Sequence, residues 1–198
     1  MRETKNIAAL SALQPDYMGF IFWAPSGRYV SEATPTLNKD IKKTGVFVDA
    51  SLDYIQNTIK THQLQAVQLH GGESPQYCKL IQGFDVEVIK AFSIKDKFDF
   101  TTLTPYQDCC NFFLFDTKGA LPGGNGFAFD WRILNDYPAK KPFFLSGGIG
   151  LENTAQIKAL LKTDLPLYAI DVNSKFETAP GVKEIEKITQ FKNELYEL

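Results

Sequence analysis

The sequence predicts an α/β protein, a TIM-type (β/α)8 barrel with its first β-strand missing from the chain. Three observations carry this. Short apolar runs begin near residues 17, 44, 66, 87, 111, 142 and 167 and alternate with helix-like segments, the rhythm of βα units on a parallel sheet. The first run, YMGFIF, passes into WAPSG without the glycine fingerprint that opens a dinucleotide-binding open sheet, so a barrel is favoured. There are seven such runs where a barrel has eight, the chain opens on a helix, and its 198 residues fall short of the roughly 250 typical of the fold.

Thr4 to Leu13 reads as a helix, with Thr4 as cap and Ile7, Leu10 and Leu13 on one face. Tyr17 to Phe22 is apolar almost throughout, as a strand covered on both faces must be. After a loop ending on Arg28 and a polar stretch comes a second strand, Thr44 to Asp49. Ser51 caps a helix carrying Leu52, Ile55 and Ile59. Ala66 to Leu69 is the third strand, followed by His70-Gly71-Gly72. Ser74-Pro75 opens a helix with proline at its first position. Glu87 to Phe92 is the fourth strand, and a weakly helical segment follows from Lys95. The fifth strand starts at Asn111 and ends on Asp116, the sixth is Pro142 to Leu145, and Leu151 to Leu161 is a helix entered through Glu152 and Asn153. Leu167 to Val172 is the seventh strand, and Val182 to about Leu195 the last helix. No linker or shift of composition interrupts the series, so residues 1–198 read as a single domain.

The hydrophobic fraction of 44% is enough for one sizeable core. A net charge of −2 with no basic stripe argues against nucleic acid as a partner, because phosphate neutralisation needs clustered Lys and Arg. No apolar run is long enough to cross a membrane, and the first ten residues, MRETKNIAAL, hold no signal-peptide core. Cys78, Cys109 and Cys110 have neither zinc-ligand nor redox spacing. A sparse, odd set of cysteines points to the cytoplasm. No metal site is expected. The sequence carries no signal for an oligomeric state.

Chemistry is expected where strands end. Asp116 closes an apolar strand and is followed by the glycine-rich loop Gly123–Gly126, in which Gly124 and Gly126 are candidate substrate contacts. An acid on a strand end is how such barrels present a catalytic group, although Asp116 can equally cap the next turn. Gly147 and Gly148 after the sixth strand, with Asn173 and Ser174 after the seventh, are candidate phosphate-binding residues; backbone N–H groups there can face an anion. Lys175 could add charge. Asp171 can accept from a sugar hydroxyl or serve as a turn residue. Arg28 can clamp a carboxylate through two parallel hydrogen bonds, or be a solvated surface arginine. His70 is expected to be structural or to position substrate.

The stretches GFIFWAPSGRYV, GVFV, AVQLHG, LFDTKGALPGGNGFAFDW, FFLSGGI and AIDVNSKFE, in this order and spanning nearly the whole chain, resemble the phosphoribosylanthranilate isomerase family of tryptophan biosynthesis. The resemblance implies a (β/α)8 barrel and a cofactor-free Amadori rearrangement of N-(5'-phosphoribosyl)anthranilate to 1-(2-carboxyphenylamino)-1-deoxyribulose 5-phosphate. It implies that Asp116 is the general acid that opens the furanose ring and that Arg28 meets the anthranilate part. It also implies that Gly147, Gly148, Asn173 and Ser174 lie on the phosphate loops, with Lys175 standing where glycine is common. The family's first strand ends in Cys-Gly-Met, whose cysteine is the base, and Met1 aligns just after that Cys-Gly pair. The strand and the base are therefore expected to be absent, and the chain itself to turn over little substrate. The residues also leave open a non-catalytic phosphate-ligand-binding barrel. Another sugar-phosphate barrel enzyme, such as indole-glycerol-phosphate synthase or ribulose-phosphate epimerase, is the remaining alternative.

Overall fold

The computed structural model describes residues 1–117, 129–138 and 140–196. Seven strands form one all-parallel sheet in simple sequence order: β1 (Tyr17–Ile21), β2 (Lys42–Phe47), β3 (Ala66–Leu69), β4 (Glu87–Ile94), β5 (Phe112–Thr117), β6 (Phe143–Leu145) and β7 (Leu167–Ile170). The strand runs read from the sequence correspond to these one for one. The helices are α1 (Thr4–Ser11), α2 (Leu52–His62), α3 (Pro75–Gln82), α4 (Thr154–Leu161) and α5 (Ile185–Tyr196).

Local chemistry sets the starts of two of these five helices. Ser51 Oγ accepts from Tyr54 N at the head of α2, and Ser74 Oγ accepts from Tyr77 N at the head of α3, where Pro75 fills the first turn. Two starts differ from expectation. Thr4 is the first residue of α1 and not its cap; Glu3 holds the cap position without a side-chain bond. The segment from Leu151 begins as a 3-10 turn, Leu151–Asn153, before α4. The weakly helical stretch after β4 is a 3-10 helix, Phe100–Tyr106.

β1 and β7 are the ends of the ladder and share no backbone pairing among the described residues. Their side chains still meet. The Tyr17 ring of β1 lies 5.1 Å from Phe144 of β6 and 6.4 Å from Tyr168 of β7, and its hydroxyl donates to Glu87 Oε2 of β4 at 2.9 Å. The sheet is thus rolled toward closure. Ala66, Ile89, Leu114 and Phe144, one each from β3 to β6, form an interior layer, the packing that fills a parallel barrel. The larger core lies outside the sheet, where Phe113, Phe115, Phe143 and Leu145 pack under the helices and 3-10 segments. Rings there meet edge to face, as Phe92 and Phe113 do at 5.3 Å, and each such pair adds about 1 kcal/mol beyond the area it buries.

One element departs from the sequence reading. β8 (Glu177–Ala179) and β9 (Val182–Lys183) form an antiparallel hairpin where the last helix was expected to begin. Its turn holds Pro180 and Gly181, and Gly181 has φ +86°, the conformation a type II turn requires of its third residue.

Candidate active site

Asp116 lies at the carboxyl end of β5, paired in register with Ser93 of β4, and is 4% exposed. Burial pushes its carboxyl up to about 7, the negative charge of Asp171 adds to this, and a bond from Thr117 N at 2.8 Å opposes it. Close to neutrality such a group holds its proton in a substantial fraction of molecules, as a general acid must.

Gly147 lies directly against this carboxylate. A Cβ there would come 2.6 Å from Asp116 Oδ1 and 2.4 Å from Thr117 N, and its φ is +91°, so both space and backbone demand glycine. Gly148 has φ +65°. Among the described residues the amides of Gly147 and Gly148 donate to no protein acceptor. Next to them, Ser146 Oγ donates to Asp171 Oδ2 at 3.3 Å. Burial raises the Asp171 carboxyl, while Lys183, Ser146 and Gln68 act in the other direction.

The network continues around the mouth through the hairpin. Lys183 Nζ donates to Asn173 Oδ1 at 2.7 Å and to Glu177 Oε1 at 3.1 Å. Arg28 donates from Nε to Glu177 Oε2 at 2.9 Å. Burial would raise the Glu177 carboxyl, but Arg28 and Lys183 outweigh it and hold it below the usual range. Lys183 and Glu177 thus take part in a site the sequence analysis built without them. The signal that points to them is Pro180-Gly181, a turn dipeptide immediately before the segment read as helix.

Ser174 opens a 3-10 turn, Ser174–Phe176, beside Asn173. Lys175 pairs with Glu152 across the neighbouring loop. His70 follows β3; burial and then the charge of Lys90 bring its imidazole down to about 4, and its Nε2 is buried with no partner among the described residues. Gly124 and Gly126 lie outside the described residues. Cys78, Cys109 and Cys110 are buried in the outer core, and burial pushes the Cys78 and Cys110 thiols up to about 12, so neither of these forms a thiolate base. The described residues hold no cluster of His, Cys, Asp and Glu fit for a metal, and no helix among them is long and apolar enough to cross a membrane.

Asp116, Ser146, Asp171 and His70 all sit at the carboxyl ends of parallel strands, where parallel (β/α)-barrel enzymes keep their chemistry, and the fold and site put the chain in that class. Comparison narrows it. The sequence model of the family described as N-(5'phosphoribosyl)anthranilate (PRA) isomerase matches residues 1–194. An N-(5'-phosphoribosyl)anthranilate isomerase of Parabacteroides distasonis is 41% identical, the alignment covering 96% of this chain and 88% of that one. One of Phocaeicola vulgatus is 39% identical over 98% of this chain and 94% of its own. Among solved structures, the phosphoribosyl anthranilate isomerase of Thermotoga maritima superposes with a TM-score of 0.84 at 28% identity, covering 100% of this chain and 96% of its own. A phosphoribosyl anthranilate isomerase in complex with reduced 1-(o-carboxyphenylamino)-1-deoxyribulose 5-phosphate superposes at 0.78 with 28% identity, covering 98% of this chain and 95% of its own. The chain belongs to the N-(5'-phosphoribosyl)anthranilate isomerase family.

Proposed function

We propose that this chain carries out its family's reaction, the Amadori rearrangement of N-(5'-phosphoribosyl)anthranilate to 1-(2-carboxyphenylamino)-1-deoxyribulose 5-phosphate in L-tryptophan biosynthesis, with Asp116 as the general acid. The observation that carries the assignment is a buried aspartate at a strand end whose carboxyl is pushed by burial up to about 7. Protonated Asp116 gives its proton to the furanose ring oxygen as the bond from that oxygen to C1 breaks. The electron pair goes to oxygen, and the anilino nitrogen supplies the electrons that leave C1 as an iminium. A water molecule takes the C2 proton to give the enamine, and ketonisation, with a proton added at C1 and one lost from the C2 hydroxyl, gives the product. No cofactor enters these steps.

The remaining groups bind and orient. The free amides of Gly147 and Gly148, with Asn173 and Ser174, receive the phosphate. Arg28 meets the anthranilate carboxylate, Asp171 accepts from a ribose hydroxyl, and His70, Gly124 and Gly126 line the substrate. Localisation is read as cytoplasmic, which the free state of all three cysteines supports. The test is turnover of N-(5'-phosphoribosyl)anthranilate by the purified chain, together with calorimetric binding of the reduced product analogue. Product that disappears in Asp116→Asn supports the assignment; neither product nor affinity for the analogue overturns it.

A further inference from the structure

Lys90 lies within β4, paired in register with Leu69 of β3, and is 2% exposed. An ammonium stripped of water costs several kcal/mol unless its protons are taken up. Here they are taken up by a specific set of acceptors. Lys90 Nζ donates to Glu73 Oε2 at 3.0 Å, Gly71 O at 2.8 Å, Ala91 O at 3.0 Å and Leu69 O at 3.3 Å. Leu69 and Gly71 are the residues on either side of His70.

Glu73 completes the knot. It is 5% exposed, and its Oε1 accepts from Gly71 N at 3.1 Å and from Asp49 N at 3.0 Å. Asp49, with φ 47°, turns its own Oδ1 to Gly72 N at 2.7 Å. Tyr106 Oη donates to the Glu73 carbonyl at 3.0 Å. A Cβ on Gly71 would come 2.3 Å from Asp49 Oδ1, so the loop after β3 lies tight against the loop after β2. His70 N itself donates to Phe47 O at 2.8 Å. The peptide groups around His70 are therefore fixed on both sides, and its Nε2 has no partner among the described residues.

A buried ion pair is a poor device for stability alone, since an apolar pair of similar volume usually serves as well or better. What the pair adds is geometry, four bonds that an apolar pair could not make, and a fixed positive charge beside an imidazole.

We propose that Lys90, acting with Glu73, is a positioning residue of the active site: its ammonium fixes the peptide groups flanking His70 and so holds the imidazole in one orientation, as a hydrogen-bonding group for the phosphorylated substrate. This rests on the reading that His70 belongs to the substrate site.

The experiment uses Lys90→Met, Lys90→Met with Glu73→Gln, and His70→Ala in the full chain, each first checked for folding by thermal unfolding. The paired variant removes both charges, so it avoids stranding Glu73 should Lys90→Met alone fail to fold. Affinity is measured for the reduced product analogue. The paired variant is expected to bind about tenfold more weakly, and to add less than twofold to the loss in a His70→Ala background. The coupling between the paired variant and His70→Ala is the discriminating readout, because a merely structural Lys90 weakens binding equally with and without His70. Wild-type affinity in the paired variant, or a full tenfold loss that persists without His70, overturns the proposal. His70→Ala separates the two layers. Unchanged affinity there removes His70 from the site, and the proposal with it. A loss there beside unchanged affinity in the Lys90 variants overturns only the proposal.

Discussion

Glu177 grips Arg28 along one edge of its guanidinium: Nε lies 3.1 Å from Oε1 and 2.9 Å from Oε2, and Nη2 lies 2.7 Å from Oε2. The opposite edge, through Nη1, has no partner among the described residues. A planar fork held on one side offers the other to a carboxylate in a preset plane. Arg28→Lys keeps the charge and loses the fork, and is expected to weaken the reduced product analogue by about tenfold, roughly one lost charge-assisted bond. Calorimetric titration measures this, and equal affinity would remove Arg28 from the carboxylate site.

Glu177→Ala leaves Arg28 and the buried Lys183 without their counter-charge. It should cost about 3 to 5 kcal/mol in stability, as breaking a buried pair from one side does. Because Arg28 and Lys183 hold the Glu177 carboxyl low, its stabilisation is present above the ordinary glutamate range and is lost as pH falls through the folded value. Urea unfolding at pH 7 and pH 3 checks both points. A variant loss that is equal at the two pH values contradicts the pairing.

Asp116→Asn is expected to lower turnover by about 10²- to 10⁴-fold, the usual contribution of a positioned acid or base. The acid works protonated, so wild-type turnover should fall as pH rises past about 7, where the carboxyl titrates. Stopped assays from pH 6 to 9 test this. A profile that stays flat across that range argues against Asp116 as the acid.

The same shift predicts a cost in stability. Asp116 titrates near 3.8 when unfolded and about 7 when folded, so the folded state holds the proton more tightly. Its favourable contribution is complete below pH 4 and is lost as pH rises through 7. Above pH 7 Asp116→Asn should therefore unfold later than wild type, by about 2 to 4 kcal/mol at most. The gain should shrink toward pH 4. Denaturant midpoints at pH 5 and pH 8 decide it; parallel curves for the two proteins would sink the claim.

Gly147→Ala should cost about 1 to 3 kcal/mol, from its positive φ and from the clash with Asp116 and Thr117. It should also weaken the reduced product analogue, since it displaces two amides expected at the phosphate. Gly27→Ala is the control, because a Cβ there meets only Pro180 at 3.9 Å and should change the melting temperature little.

Much of this was legible in sequence because it is local. Ser51, Ser74 and Pro75 cap or open their helices through atoms a few residues away. The strand runs are apolar because both faces of a parallel sheet are covered. Asp116, Asp171, Gly147 and Asn173 could be picked out because strand ends are where barrel chemistry gathers. What was not legible is who faces whom. Lys183 was read at the start of a helix, and only the hairpin turn at Pro180-Gly181 brings it to Asn173 and Glu177. Lys90 falls within the strand read as Glu87 to Phe92, and nothing in the order of residues tells that its ammonium reaches the carbonyls around His70.

The sequence by itself determined the alternation of strands and helices, the strand-end position of Asp116, and the motifs that mark the family, since periodicity, caps and turn residues act within one or two turns of chain. Only the tertiary structure decided the charge state of the site. Asp116 is lifted toward neutrality because rolling the sheet buries it near Asp171, and Arg28 is oriented because a hairpin 149 residues away returns to it. Such effects depend on desolvation and on charges brought together through space, and neither is written in any single stretch of the chain.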